Sequence, residues 1–298
     1  MAEKKEVIGR LQLVAASLIW GTSFMFVKTA QEEFQPFVLM ALRLSIAAAV
    51  LGIVFIKKLK GLNRQYIWRG AILGFCLAGG MGLQAMGLNY MSPGTNAFLT
   101  ASYCLFLPFF AWALTRKRPD IWKFCGSIIC LAGIGLVSLE NDLSIGEGSL
   151  ITVSSGLMYA GQMACASVFV KGRDPMLLSI VQFFFAAIFG WIISALTGGT
   201  IPDAGTGTWL QVLYLAVICT GGGYTLQCYG QRVVDPSVTG IIVTFEAVFA
   251  VVFSALFYGE DLSFRSIAGF TVIFAALLIS ETKLSFLRRK GKTKAVSY

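Results

Sequence analysis

Two ionisable side chains occur in stretches of the sequence that are otherwise apolar. Glu246 is the only charged residue of 244–254, TFEAVFAVVFS, and Arg43 lies in the apolar run 36–56. Removal from water disfavours the charged form of a carboxyl group, so Glu246 requires a cation, hydrogen bonds or a proton. Arg43 could supply the cation or extend outward to the membrane surface. Two interpretations of Glu246 stay open: it carries a coupled proton, or it is a structural, hydrogen-bonded acid.

Stripes of mainly polar residues occur within several apolar runs. Spacings of three or four residues place side chains on one face of a helix. The stripes are Asn96, Thr100 and Tyr103; Ser155, Tyr159 and Gln162; Thr239, Val243 and Glu246; and Ser17, Trp20 and Ser23, with Gln84 and Gln227 on two further runs. Polar side chains in lipid need a partner or a wet cavity. The stripes together predict a central amphipathic cavity, although each single residue fits equally well as a hydrogen bond between packed helices.

We expect this cavity to be the pathway of a small-molecule substrate. The residues expected along it are Trp20, Gln84, Asn96, Tyr103, Tyr159, Gln162, Gln227 and Glu246. The rings of Trp20 and Tyr159 would form walls, and the amides and Tyr103 would orient the substrate. Glu246, with Arg43 as a candidate charge partner, would couple transport to protons or select the charge of the substrate.

The sequence contains no histidine, and this absence excludes several kinds of chemistry. Ser–His and Cys–His nucleophile pairs, histidine metal sites and histidine proton relays all need imidazole. No aspartate lies within an apolar run, which counts against a paired-aspartate protease. The seven cysteines are scattered within these runs, where they are expected as small packing residues. We therefore expect no enzyme, no cofactor and no metal site.

The composition indicates the elements that must position these residues. Hydrophobic residues make up 56% of the 298 residues and charged residues 13%, about half of the usual charged share. Runs of roughly 17–23 apolar residues are long enough to cross a hydrocarbon core of about 30 Å as helices. The predicted spans are 11–29, 36–56, 70–90, 94–114, 121–139, 149–170, 176–196, 208–229, 236–258 and 264–282. The expected fold class is an all-α integral membrane protein with ten transmembrane helices.

Basic residues concentrate in alternate connections. The segments 57–69, 116–123 and 283–294 are rich in lysine and arginine, whereas 32–33 and 140–147 carry acidic residues. By the positive-inside rule, this pattern predicts a plasma (inner) membrane protein with both termini in the cytoplasm. The same distribution explains the net charge of +9 through orientation and contact with anionic membrane lipid, so no nucleic-acid partner is expected.

The sequence matches itself without gaps at an offset of 143 residues. The match aligns Gly79-Gly80 with Gly222-Gly223, Leu83-Gln84 with Leu226-Gln227, and Pro93 with Pro236. Five spans in each copy is an odd number, so the second copy (144–298) must enter the membrane inverted relative to the first (1–143). Inverted repeats with a midplane site are typical of secondary transporters that work by alternating access. The repeated glycines fit either a hinge or plain helix packing. The alternative function for the whole chain is a channel-like or lipid-handling scaffold without a coupled transport cycle.

Three motifs resemble a known family. The stretch Trp20-Gly-Thr-Ser-Phe-Met-Phe-Val-Lys28 resembles the first-helix signature of the EamA-like branch of the drug/metabolite transporter superfamily. The fourth helix of those proteins is similar to Ser92-Pro-Gly-Thr-Asn-Ala-Phe-Leu-Thr100. Their ninth helix is similar to Phe245-Glu-Ala-Val-Phe-Ala250 with Gly259-Glu260. The resemblance implies a transporter of small metabolites, frequently an exporter of amino acids or related compounds. Ala247 stands where the family often has proline, which puts a proline-made break of this helix in doubt.

Overall fold

The computed structural model describes residues 2–116, 118, 121–138, 146–231, 233–234, 236–259 and 263–282. Within these ranges the chain is almost entirely helical and contains no strand, which confirms the all-α fold class. The α-helices are α1 (Ala2–Ala30), α2 (Pro36–Val54), α3 (Arg64–Gly87), α4 (Pro93–Thr100), α5 (Tyr103–Thr115), α6 (Ile121–Ser138), α7 (Glu147–Phe169), α8 (Pro175–Leu196), α9 (Thr206–Leu213), α10 (Gly223–Gln231), α11 (Pro236–Phe253) and α12 (Phe264–Thr282).

Helix length and hydropathy are those of a membrane protein. Among the described residues, six helical stretches are long and apolar enough to cross a membrane, and 242–257 and 267–276 form shorter apolar helices. The count of ten spans therefore stays a prediction. Large apolar side chains such as Leu196, Phe257 and Phe264 are exposed on the outer surface, where hydrocarbon rather than water would be their favourable surroundings.

The described helices pack in two matching sets. Helix α1 packs against α10 and α11, and α7 packs against α3, α4 and α5. Glycines permit the close approach in both sets: a Cβ atom on Gly230 would lie 2.9 Å from the carbonyl oxygen of Gly9, and one on Gly87 would lie 2.1 Å from Oγ1 of Thr152. These two contacts are related by the offset of 143 residues, because Gly87 aligns with Gly230 and Gly9 with Thr152. Each predicted half thus packs its first helix against the other half.

Two parts of the predicted division lie outside the described residues. The boundary at residue 143 falls in the segment 139–145, and the basic tail covers 283–298. The division into halves 1–143 and 144–298 therefore stays a prediction.

Three local features differ from uniform α-helical spans. The fourth predicted span is divided into α4 and α5 at Ala101 and Ser102, where Gly156 of α7 lets the turn approach closely. The eighth contains a π-helical segment, Tyr214–Gly222, between α9 and α10, and a second π-helical segment, Ser254–Tyr258, follows α11. Helix α11 itself continues through Ala247 without a break, in agreement with the missing proline.

Candidate functional site

A cavity lies at the centre of the bundle, between α1, α2, α3, α4, α5, α7, α10 and α11. Its volume is about 70 Å³, which is room for a few water molecules. Its lining combines aromatic rings, amides, methionines and the two charged residues Arg43 and Glu246. Such a lining, apolar with a few placed polar groups, is typical of small-molecule sites.

The cavity follows the internal repeat. Five pairs of its lining residues are separated by 143 positions: Trp20 and Met163, Met81 and Tyr224, Gln84 and Gln227, Thr100 and Val243, and Tyr103 and Glu246. The two charged residues break this symmetry, because Glu246 aligns with Tyr103 and Arg43 aligns with Ala186. The two halves therefore contribute matched positions but different chemistry.

The aromatic wall is held by glycines and by the π-helical segment. The indole nitrogen of Trp20 donates a hydrogen bond of 2.8 Å to the carbonyl oxygen of Cys219, and the Trp20 and Tyr224 ring centroids are 5.1 Å apart. Gly223 gives Trp20 its space, and Gly80, at the equivalent position, does the same for Tyr159. A π-helical segment displaces the backbone pairing of an α-helix and is frequent at functional sites.

The amide side chains of the cavity have different surroundings. Gln84 accepts a hydrogen bond from the Tyr159 hydroxyl at 3.0 Å and donates one to Thr100 at 3.2 Å. Gln162 donates to Gln182 at 3.0 Å. Gln227 lines the cavity, and its side chain forms no hydrogen bond with any residue that the structure describes. Gln84 and Gln162 thus have the contacts of interhelical hydrogen bonds, whereas the Gln227 amide is available to a ligand.

Asn96 is the one predicted pathway residue that does not line the cavity. Its side chain is fully buried and donates hydrogen bonds to the backbone oxygen of Gln84 at 3.3 Å and to Thr152 at 3.1 Å. These contacts join α4 to α3 and α7, so Asn96 lies behind the wall and supports Gln84. The other seven, with Arg43, line one cavity.

Arg43 and Glu246 share the cavity without forming an ion pair with each other in the described structure. Each is 8% exposed. Arg43 donates from Nε to Thr220 Oγ1 at 2.5 Å, and the Thr220 hydroxyl donates to the Leu215 carbonyl oxygen at 2.9 Å. Glu246 lines the cavity together with the buried Tyr103, whose hydroxyl has no hydrogen-bond partner in the described structure. The two opposite charges therefore lie at one cavity and leave it with no net charge when both are ionised.

Polar contacts at the helix ends fix the bundle outside the cavity. The carboxylate of Glu33, after α1, accepts hydrogen bonds from the Gly205 backbone at 2.9 Å and from the Thr208 hydroxyl at the start of α9. The Thr208 hydrogen bond holds the pKa of Glu33 below its ordinary value. Asp174 caps α8 through the Met176 backbone and pairs with Lys58.

Besides Phe24, three cavity residues were not predicted from the sequence. Tyr224, Met81 and Met163 line it beside the predicted residues. The repeat contained a signal for Met163, which aligns with the predicted Trp20, whereas Met81 and Tyr224 align only with each other. Methionine and tyrosine are common in apolar helices, so the sequence offers nothing else that distinguishes these three from packing residues.

A family model describes nearly the whole chain. The model of the EamA-like transporter family matches residues 7–139 and again 146–282. This chain belongs to the EamA-like transporter family. It is accordingly a membrane transporter of the drug/metabolite transporter superfamily, and the family indicates transport of small molecules rather than enzymatic chemistry.

Individual relatives agree with this family. An uncharacterized transporter of Archaeoglobus fulgidus is 25% identical over 93% of this chain and 87% of its own length. Adenosine 3'-phospho 5'-phosphosulfate transporter 1 of Homo sapiens is 25% identical over 89% of this chain and 63% of its own length. A crystal structure with 16% sequence identity superposes with a TM-score of 0.66 over 96% of this chain and 99% of that chain, which shows a shared fold.

Proposed function

We propose that this EamA-like protein is a secondary transporter that moves a small organic metabolite by alternating access between two inverted halves. The central cavity would bind the substrate, and the single observation that carries this is its lining by five repeat-related pairs. A site on the axis between two inverted halves can be exposed alternately to the two sides by a motion of one half against the other. Amino acids and related compounds, including exported ones, are the first substrates to test.

The roles proposed for the lining residues follow from their contacts. Trp20 and Tyr159 would wall the substrate, Gln227 and Tyr103 would contact its polar groups, and Gln84 would hold Tyr159 in place. Asn96 would act through Gln84 rather than on the substrate. We place the protein in the plasma (inner) membrane with both termini cytoplasmic, because the distribution of basic residues among the connections favours that orientation.

Counterflow in proteoliposomes tests the function. The full chain is reconstituted, loaded with a pool of metabolites and assayed for exchange with the same pool labelled outside. Saturable flux that competitors inhibit supports a transporter, whereas ion conductance without saturable flux identifies a channel and refutes the proposal. Tyr103→Phe tests the site: ligands that raise the melting temperature of the wild type should raise it less in this variant.

Glu246 is proposed to couple transport to protons. It is the only carboxylate that lines the cavity in the described structure, and burial opposes its charged form. Glu246→Gln keeps the shape and removes the titratable group, so a pH gradient should drive wild-type flux but not the flux of the variant. Undiminished gradient-driven flux in Glu246→Gln would refute coupling through this residue and leave it a structural acid.

A further inference from the structure

Arg43 is a buried cation with an incomplete set of partners. Its side chain is 8% exposed and lines the central cavity, and its one hydrogen bond in the described structure runs from Nε to Thr220. No carboxylate in the described part of the chain forms an ion pair with it. A buried charge without a counter-ion costs several kcal/mol, so this position is favourable only if something in the cavity compensates it.

The contact with Thr220 fixes one edge of the guanidinium group. Thr220 belongs to the π-helical segment and is itself bonded to the Leu215 carbonyl oxygen, so the acceptor is held in place. The two terminal nitrogens of Arg43 have no hydrogen-bond partner among the described residues, and the side chain lines the cavity. Such a planar pair of donors matches the paired oxygens of a carboxylate, sulfate or phosphate group.

Glu246 supplies the charge balance. The titratable and charged groups that share the cavity with it are Arg43 on α2, Tyr103 on α5, Tyr159 on α7 and Tyr224 on α10. From α1 and α4 the cavity receives Trp20, Ser23, Phe24 and Thr100, none of which titrates near neutral pH. An empty cavity with Arg43 and Glu246 both ionised is neutral. An added anion would leave it negative inside the membrane unless Glu246 takes up a proton.

We propose that Arg43 binds an anionic group of the transported compound, a carboxylate, sulfate or phosphate, and that one proton on Glu246 accompanies each bound monoanion. This inference rests on the proposed transport function. The balance is one monoanion and one proton per bound state: the anion neutralises Arg43 while the protonated Glu246 is uncharged. No covalent bond forms or breaks other than the O–H bond of the carboxyl group.

A charge series tests the anion site in the same proteoliposomes. The metabolite pool includes 3-phenylpropionate, its neutral analogue 3-phenylpropionamide and the cation 3-phenylpropylamine, with 2-phenylethyl sulfate and 2-phenylethyl phosphate as further arms. The shared phenyl group suits the aromatic wall of Trp20 and Tyr224. We expect every transported compound of the pool to carry an anionic group, and the carboxylate, sulfate or phosphate arm to compete at least tenfold better than the amide and the amine.

The outcomes separate this inference from the proposed function. Saturable flux of neutral or cationic compounds alone overturns the anion site but leaves a transporter. Absence of saturable flux for every compound overturns the proposed function itself. The relative strength of the carboxylate, sulfate and phosphate arms distinguishes the three sources of the anionic group.

Variants of Arg43 test the residue directly. Arg43→Met should abolish the preference for the anion over the amide, and Arg43→Lys, which keeps the charge without the paired donors, should retain part of it. Arg10→Met is the control, because Arg10 is exposed on α1 and pairs only with Glu6 in the described structure. An unchanged anion preference in a well-folded Arg43→Met overturns the assignment. If that variant fails to fold, Arg43→Lys and the wild-type charge series still decide.

Charge movement provides a second, independent readout. A pH-sensitive dye and a potential-sensitive dye report proton and net charge movement during uptake of the best monoanion. In the wild type, uptake should carry about one proton and generate no membrane potential. In Glu246→Gln the proton movement should disappear, and any remaining uptake should generate a potential. Electrogenic uptake of a monoanion by the wild type would overturn the charge balance.

Discussion

Gly223→Ala tests whether the glycine beside the cavity is there to admit the Trp20 ring. A Cβ atom at position 223 would lie 2.4 Å from Nε1 and 3.0 Å from Cε2 of Trp20, so the indole must move. Its 2.8 Å hydrogen bond to the Cys219 carbonyl oxygen would then be lost. Overpacking costs about 1–3 kcal/mol and loss of the hydrogen bond about 0.5–1.5 kcal/mol. Replacing a glycine by alanine within a helix offsets about 0.5–1 kcal/mol of this destabilisation.

The net effect should be a destabilisation of roughly 1–3 kcal/mol. At about 2–4 °C for each kcal/mol, the apparent melting temperature in detergent should fall by several degrees. Tryptophan emission should shift at the same time, and substrate affinity should fall because Trp20 lines the cavity. Thermal unfolding followed by intrinsic fluorescence measures the first effect, and competition in proteoliposomes measures the last.

The neighbouring glycine provides the matched control. A Cβ atom on Gly222 would find the Val217 carbonyl oxygen at 3.6 Å, which is an ordinary contact. Gly222→Ala should therefore be as stable as the wild type or slightly more stable. A Gly223→Ala protein as stable as the wild type would refute the packing argument. Slow transport by a stable Gly222→Ala would identify a hinge at that position.

Two further predictions concern contacts at and outside the cavity. Gln84→Ala should lower stability by about 1–2 kcal/mol because the hydrogen bonds to Tyr159 and Thr100 are lost. Gln227→Ala should leave the melting temperature unchanged and weaken substrate competition roughly 3- to 10-fold. Equal losses of stability in the two variants would contradict the assigned roles. The pKa of Glu33 is lowered by Thr208 and the Gly205 backbone, so this contact stabilises the fold above the ordinary value of 4.5 and is lost as the pH falls through the lowered pKa. In Thr208→Ala the titration of Glu33, followed by NMR of labelled glutamate, should move to higher pH, and an unmoved midpoint would refute the role of that hydroxyl.

The periodic features of the sequence predicted much of the site. Helical spacing placed Tyr159 and Gln162 on one face, and both line the cavity. The offset of 143 residues aligned Gln84 with Gln227 and Tyr103 with Glu246, and all four meet there. This succeeded because a repeat places equivalent residues at equivalent depth, whatever the packing details are.

Hydrogen-bond partners could not be predicted in the same way. Asn96 shares a stripe with Tyr103, yet it bonds to α3 and α7 behind the wall, while Tyr103 borders the cavity. The two aligned glutamines likewise differ, since only Gln84 has Tyr159 within reach. The choice between a ligand-binding amide and an interhelical hydrogen bond depends on residues distant in sequence.

The sequence by itself determined that the chain is helical, apolar and internally repeated, and that Arg43 and Glu246 lie among apolar residues. These properties depend on composition and on spacing along the chain. Only the tertiary structure decided that Arg43 binds Thr220 instead of Glu246, and that both charges line one cavity. The reason is physical: periodicity fixes which face of a helix a side chain occupies, whereas packing fixes which faces meet and therefore which charges can compensate one another.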